Sequence, residues 1–164
     1  QGSMARTGFL GQLVSTAGQV VAGASIAKGS FACIPKGTKI DTHTSGVAIE
    51  NIKPGDLVIG YSGQLVRVLQ KHEYLENPNN KRFYKIIFKG KNNNTHEVDL
   101  CDMHKVLGVR AKDVKENVIS KKLYSGVKYS YDLLTEDLGY RINGIPVNSM
   151  IEELAELTVK LNNK

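Results

Sequence analysis

The residue with the most chemistry to offer is Cys33, in the stretch Phe31-Ala32-Cys33-Ile34-Pro35-Lys36-Gly37-Thr38. It stands at a seam. The segment before it is rich in small residues and glycine and carries charge only at Arg6 and Lys28, and the sequence after it is patterned for β-strands. Pro35 and Gly37 turn the chain just past the cysteine, which places the thiol to attack the peptide bond on its own N-terminal side. Such an attack needs a thiolate, a group that protonates the departing amide nitrogen, and something that polarises the preceding carbonyl. His104, in Leu100-Cys101-Asp102-Met103-His104, is the candidate proton donor, and Cys101 three residues before it is expected to share the pocket.

Plainer readings compete at each position. A single cysteine is often only a small buried hydrophobe. Cys101 and His104 have C-x-x-H spacing, half of a zinc site, but a second ligand pair is missing unless Cys33 joins them. No metal and no cofactor are expected. His43, His72 and His96 stand alone in turns or at strand ends and are expected to be solvated.

The elements that must position these residues are short strands with turn punctuation. Thr38 to Thr42 and Ala48 to Ile52 are extended runs around Ser45-Gly46, and Lys53-Pro54-Gly55-Asp56 is a tight turn with Pro at i+1 and Gly at i+2. Leu57 to Tyr61 and Leu65 to Leu69 make a hairpin across Ser62-Gly63, and Phe83 to Phe88 and Thr95 to Leu100 make a second. Between the hairpins, Asn77 to Asn80 is a loop. Ala111 to Asn117 has room for one helical turn, Tyr129 to Leu134 is a strand, and Tyr140 to Ile142 runs into the turn Asn143-Gly144. Met150, Ile151, Leu154, Leu157 and Leu161 recur at helical spacing, and Ser149 with Glu152 forms a capping box, so a helix is expected over 150–164. The body is all-β with one C-terminal α-helix.

At 164 residues the chain supports one domain with an appendage. Gln1-Gly2-Ser3 ahead of Met4 reads as an expression scar, and residues 4–32 as a leader attached to the domain. The net charge of +6 raises the question of an anionic partner, but the lysines are interleaved with acids and do not alternate with aromatics, so nucleic-acid binding is not expected. Gly8 to Ala27 carries no charge, yet its polar residues and glycines argue against a membrane span. Two cysteines make no secreted-type disulfide framework, and a reducing cytoplasm is the default compartment.

Cys33-Ile34-Pro35-Lys36-Gly37-Thr38-Lys39-Ile40, then Gly46, then Ile49-Glu50-Asn51-Ile52-Lys53-Pro54-Gly55-Asp56-Leu57-Val58, resembles the N-terminal block of the Hint superfamily, which includes Hedgehog and intein domains and bacterial intein-like domains. Cys101-Asp102-Met103-His104 falls where that family places Thr-x-x-His, with Ala111-Lys112-Asp113-Val114 in register after it. Tyr131-Asp132-Leu133 and Tyr140 to Val147 resemble the closing block, so the resemblance covers 33–149. It implies a β-rich horseshoe with pseudo-twofold symmetry, in which Cys33 attacks the Ala32 carbonyl to give a thioester by N-to-S acyl shift. It also implies His104 as the acid and Asp132 as an aid to proton movement at the nucleophile.

The departures from the family pattern are equally specific. Splicing also requires a terminal Asn to cyclise, usually helped by a preceding His. Asn148-Ser149 would supply the Asn and an accepting hydroxyl, but Val147 stands where that His belongs. A gapless reading instead puts Asn148 at the His position and Ser149 at the Asn position. Cys101 replaces the usual Thr, and Gly139 lies where the closing block often carries a His. The resemblance therefore implies N-terminal cleavage or acyl transfer acting in cis on residues 4–32, without full splicing. A disulfide between Cys33 and Cys101 is a further option, which would silence the nucleophile. The competing expectation is an inactive Hint fold serving as an interaction module of a phage or secretion-type assembly. The chain is expected to be monomeric, and cytoplasmic or particle-associated.

Overall fold

The computed structural model describes residues 33–151. The leader, including Ala32, and residues 152–164 of the expected C-terminal helix lie outside the described residues. Thirteen strands are named in chain order: β1 Ile34–Pro35, β2 Lys39–Asp41, β3 Gly46–Ala48, β4 Leu57–Ile59, β5 Leu65–Leu75, β6 Phe83–Lys89, β7 Thr95–Cys101, β8 Lys105–Val106, β9 Val109–Arg110, β10 Val118–Tyr124, β11 Tyr129–Thr135, β12 Gly139–Ile142 and β13 Ile145–Asn148. They form sheets of order β1-β11-β5-β4, β10-β6-β7 and β12-β13-β8-β9, with β2-β3 as a separate hairpin. Every pairing between named strands is antiparallel. Ile151, at the edge of the described residues, has helical backbone.

The sheets bury one common core, which includes Ile40, Val58, Ile86, Val98, Leu133 and Tyr140. Strand β7 shows the period-2 logic up to Leu100, with Val98 and Leu100 buried and Glu97 and Asp99 more exposed. Strand β11 does not alternate: from Ser130 to Thr135 every residue is buried, because β11 is an inner strand between β1 and β5. A carboxylate on that strand has no route to solvent, and Asp132 is 1% exposed.

The local signals place the hairpins well. Asn143 (φ 50) and Gly144 (φ 78) form the β12–β13 turn, both in the left-handed region that a two-residue turn of this type requires. Three strands, β3, β10 and β5, differ from expectation, while the single turn expected in 111–117 forms. Strand β3 ends at Ala48, and Ile49–Asn51 is a 3-10 turn, whose three-residue period sends both Ile49 and Ile52 into the core. The 111–117 segment closes as one turn, with the Val114 N–H on the Arg110 carbonyl at 3.0 Å, and goes no further. Strand β10 is an edge strand that the lysine pair Lys121-Lys122 conceals in the sequence; β5 also runs six residues past Leu69 to pair with β11.

Candidate functional site

Cys33 is fully buried, and its backbone is gripped by Cys101 on both sides. The Cys33 N–H donates to the Cys101 sulfur at 3.1 Å, and the Cys33 carbonyl accepts from the Cys101 N–H at 3.0 Å. This nitrogen belongs to the expected scissile bond; its other half, Ala32, lies outside the described residues. Strand register supplies the next neighbour. Ile34 pairs with Tyr131 at the end of the antiparallel β1–β11 ladder, and Asp132 pairs with His72 of β5. Residues directly opposite in such a ladder project to one face. Carried one residue past the end of β1, the register sets Cys33 at the level of Asp132 and His72.

Asp132 is heavily bonded. One carboxylate oxygen accepts from the Tyr140 hydroxyl at 2.6 Å and the Leu133 N–H at 2.8 Å, and the other accepts from the Met150 N–H at 2.7 Å. The Ile151 N–H also bonds the carboxylate. Burial pushes the Asp132 carboxyl up to about 7 against the pull of these donors, which makes it a group able to take or give a proton near neutrality. Tyr140, itself fully buried, is driven far above the ordinary phenol range by burial and then by the Asp132 charge, so it stays a donor. Its hydroxyl holds the carboxylate in place.

His72 is not solvated as expected. Its Nδ1 lies 2.9 Å from the Tyr74 hydroxyl, and burial pushes the imidazole down to about 4, so it is neutral at physiological pH. His96 is likewise engaged, its Nδ1 at 2.8 Å from the Asn143 carbonyl. His43 is exposed.

His104 is fully buried, and its Nε2 sits 2.7 Å from the Asn148 carbonyl. A carbonyl only accepts, so Nε2 is the ring nitrogen that carries hydrogen. Its backbone is fixed by two bonds, N–H to the Cys101 carbonyl at 3.2 Å and carbonyl from the Ala111 N–H at 2.9 Å. The Asn148 side chain accepts from the Gly108 N–H at 3.2 Å, tying it to the β8–β9 turn. Ser149 is buried; its N–H reaches the Leu138 carbonyl at 2.9 Å, and among the described residues its hydroxyl has no hydrogen-bond partner. Glu152, the other half of the expected capping box, lies outside the described residues. Asp132 takes the backbone N–H groups of Met150 and Ile151.

Both cysteines are in the free form, so the disulfide is not made. Burial raises the Cys101 thiol above its usual range, while the Arg82 guanidinium and the Cys33 and Met103 N–H groups work the other way. Arg82 is held beside the site by Glu76 at 3.4 Å and Asp102 at 3.7 Å. Gly139 has no room for a side chain of any kind. A Cβ there would come within 2.7 Å of the Val147 carbonyl oxygen and of Tyr61, so the His common in the family's closing block does not fit this backbone. Among the described residues no group of three or more His, Cys, Asp or Glu is arranged to hold a metal ion. A cleft of about 730 Å³ opens nearby, lined by Lys36, Lys85, Glu97 and Asp99 among others, but none of Cys33, Cys101, His104 and Asp132 lines it.

The structure thus brings together Cys33 with Cys101, His104 with Asn148, and Asp132 with the backbone that follows Ser149. Sequence reasoning missed Tyr140, Tyr74 and His72, which surround the carboxylate. Strand pairing between β5 and β11, sixty residues apart in places, was the signal needed, and it is not local.

No family model matches this sequence, nor does any curated protein. Solved structures do match it. A bacterial intein-like domain from Clostridium thermocellum superposes with a TM-score of 0.58 at 22% identity, over 73% of this chain and 100% of that one. The MchDnaB-1 intein gives 0.54 at 13% identity over 71% and 99%. The gp41-1 intein gives 0.51 at 18% identity over 73% and 100%. At these identities the likeness is one of fold, and the fold is that of these intein and intein-like domains.

Proposed function

We propose that this domain, which has the Hint fold of inteins and bacterial intein-like domains, is self-processing at its own N-terminal junction. The Cys33 thiolate attacks the Ala32 carbonyl carbon, the carbon–nitrogen bond breaks, and the upstream segment is left as a thioester on Cys33. Water or an external nucleophile then releases or transfers it. The observation that supports this most is the clamp on Cys33: its amide nitrogen is in contact with the Cys101 sulfur while its strand register faces Asp132. An amide is far more stable than a thioester, so the reaction runs only where the nitrogen is supplied with a proton and the thiol loses one. Asp132, with its raised carboxyl range, is the base for the thiol.

The C-terminal junction is less well provided. Val147 and Gly139 occupy the places of two family histidines, and Gly139 is sterically barred from carrying a side chain. Cleavage or acyl transfer without full splicing is therefore the proposed outcome, acting in cis on residues 4–32, with the domain working as a monomer.

Intact-protein mass under reducing conditions, followed over time with and without hydroxylamine, tests this. Loss of the segment before Cys33, accelerated by hydroxylamine and abolished in Cys33→Ala, is the expected result. A wild-type chain that keeps its full mass under both conditions would mean that the fold serves as an inactive module.

A further inference from the structure

We propose that Cys101 is the acid of this reaction, delivering its thiol proton to the Cys33 nitrogen as the Ala32–Cys33 bond breaks. The inference rests on the self-processing function above and assigns a role within it. The Cys101 sulfur is 3.1 Å from the Cys33 nitrogen, in direct contact with a reacting atom. Before reaction the amide N–H points at the sulfur. As the carbon–nitrogen bond stretches, the nitrogen gains a lone pair, and a small rotation about the Cys101 Cβ–Sγ bond turns the S–H toward it.

The surroundings suit both states of the acid. Burial keeps the thiol protonated beforehand. Afterwards the thiolate is met by the Met103 N–H, the new Cys33 amine and the Arg82 guanidinium, with Asp102 as the opposing charge. A threonine hydroxyl, the residue of the resembling pattern, ionises far less readily than a thiol. The His104 hydrogen on Nε2 is directed at the Asn148 carbonyl.

The proton count closes. The Cys33 thiol gives its proton to the Asp132 carboxylate and forms the carbon–sulfur bond. The carbon–nitrogen pair stays on nitrogen and takes the Cys101 proton, and the proton on Asp132 restores the Cys101 thiol. The sum is amide plus thiol to thioester plus amine.

The test uses the full chain under reducing conditions with hydroxylamine as trap, and measures the rate of release from neutral to alkaline pH for wild type, Cys101→Ser and Cys101→Thr. Thermal melts of each establish that the variants fold. Loss of the acid is expected to slow release about 100-fold or more in both variants. The wild-type rate should fall at alkaline pH as Cys101 loses its proton, and this alkaline limb should be absent from the variants; ionisation of Cys33, Asp132 and His104 is common to all three. Release from either folded variant at the wild-type rate, or an alkaline limb retained in the variants, overturns the role of Cys101 alone. A folded wild type that yields no trapped product overturns the self-processing function together with it.

Discussion

The Nε2 of His104 lies 2.7 Å from the carbonyl oxygen of Asn148, forty-four residues away in sequence and at the opposite end of the domain's chemistry. The imidazole the family pattern assigns to the N-terminal reaction is thus seated on the carbonyl of the C-terminal junction. The bond fixes its tautomer, and through the Cys101 carbonyl its backbone is fixed to the nucleophile's neighbour.

Replacing His104 by Ala should therefore act on the C-terminal end. Strand β13 should loosen at Asn148, read by amide exchange of Val147 to Met150, while thioester formation at Cys33, whose acid is proposed to be Cys101, should change by less than about tenfold in hydroxylamine-trapped product. His104→Gln, which retains an N–H for the Asn148 carbonyl, should recover the exchange protection. A rate loss of about 100-fold in His104→Ala would make the imidazole, and not Cys101, the acid.

The pair Asp132 and His72, opposite each other in the β5–β11 ladder, should make opposing contributions to stability against pH. Asp132 is raised from 3.8 to about 7, so the stability it contributes is fully present below about pH 4 and is lost as pH rises toward 7. His72 is lowered from 6.5 to about 4, so its contribution is present above pH 6.5 and is lost as pH falls toward 4. In the wild type the two slopes largely offset. Asp132→Asn should expose a stability that climbs between pH 4 and 6.5, and His72→Gln one that declines over the same window, both read by urea midpoints. Parallel curves for the three proteins would show that neither group is perturbed.

Lys121 holds the turn after His104 from outside. Its ammonium donates to the carbonyls of Ala111 at 2.6 Å, Lys112 at 2.8 Å and Val114 at 3.2 Å. Lys121→Met keeps the stem and removes the donors, and is expected to cost about 1–3 kcal/mol in urea unfolding. A cost within a few tenths of a kcal/mol, the surface norm, would show that water replaces the ammonium.

Gly139→Ala should be severe for its size. The added methyl meets the Val147 carbonyl oxygen and Tyr61 at 2.7 Å, so β13 must move away from β12. Overpacking of this kind costs about 1–3 kcal/mol. Because β13 ends at Asn148, the variant should also disturb the His104 bond, which a changed His104 imidazole NMR signal would report. An unchanged melting temperature would show that the strands yield freely.

Much of the fold was written locally. Turn chemistry at Ser62-Gly63 and Asn143-Gly144 and the strand pattern in Phe83 to Leu100 gave hairpins at the right places, because such signals act between neighbours. Strand β10 was hidden because its edge position lets it carry Lys121 and Lys122, which read as a solvated charge pair. Cys33, Cys101 and His104 stood out as chemical types in a specific pattern. His72 and Tyr74 did not, because nothing local distinguishes a polar residue that faces a buried carboxylate from one that faces water. Only the β5–β11 register, made over a long chain separation, decides that.

The clamp that Cys101 places on Cys33 engages both the amide and the carbonyl of one residue, so it does not depend on whether the upstream peptide is attached. In the proposed reaction the amine freed by the acyl shift stays in the same grip, beside the thioester on its own Cys33 side chain. By microscopic reversibility that amine can recapture the acyl group until something outside consumes the thioester. The yield of the proposed processing is then set less by how fast the bond opens than by the acceptor that arrives from solution.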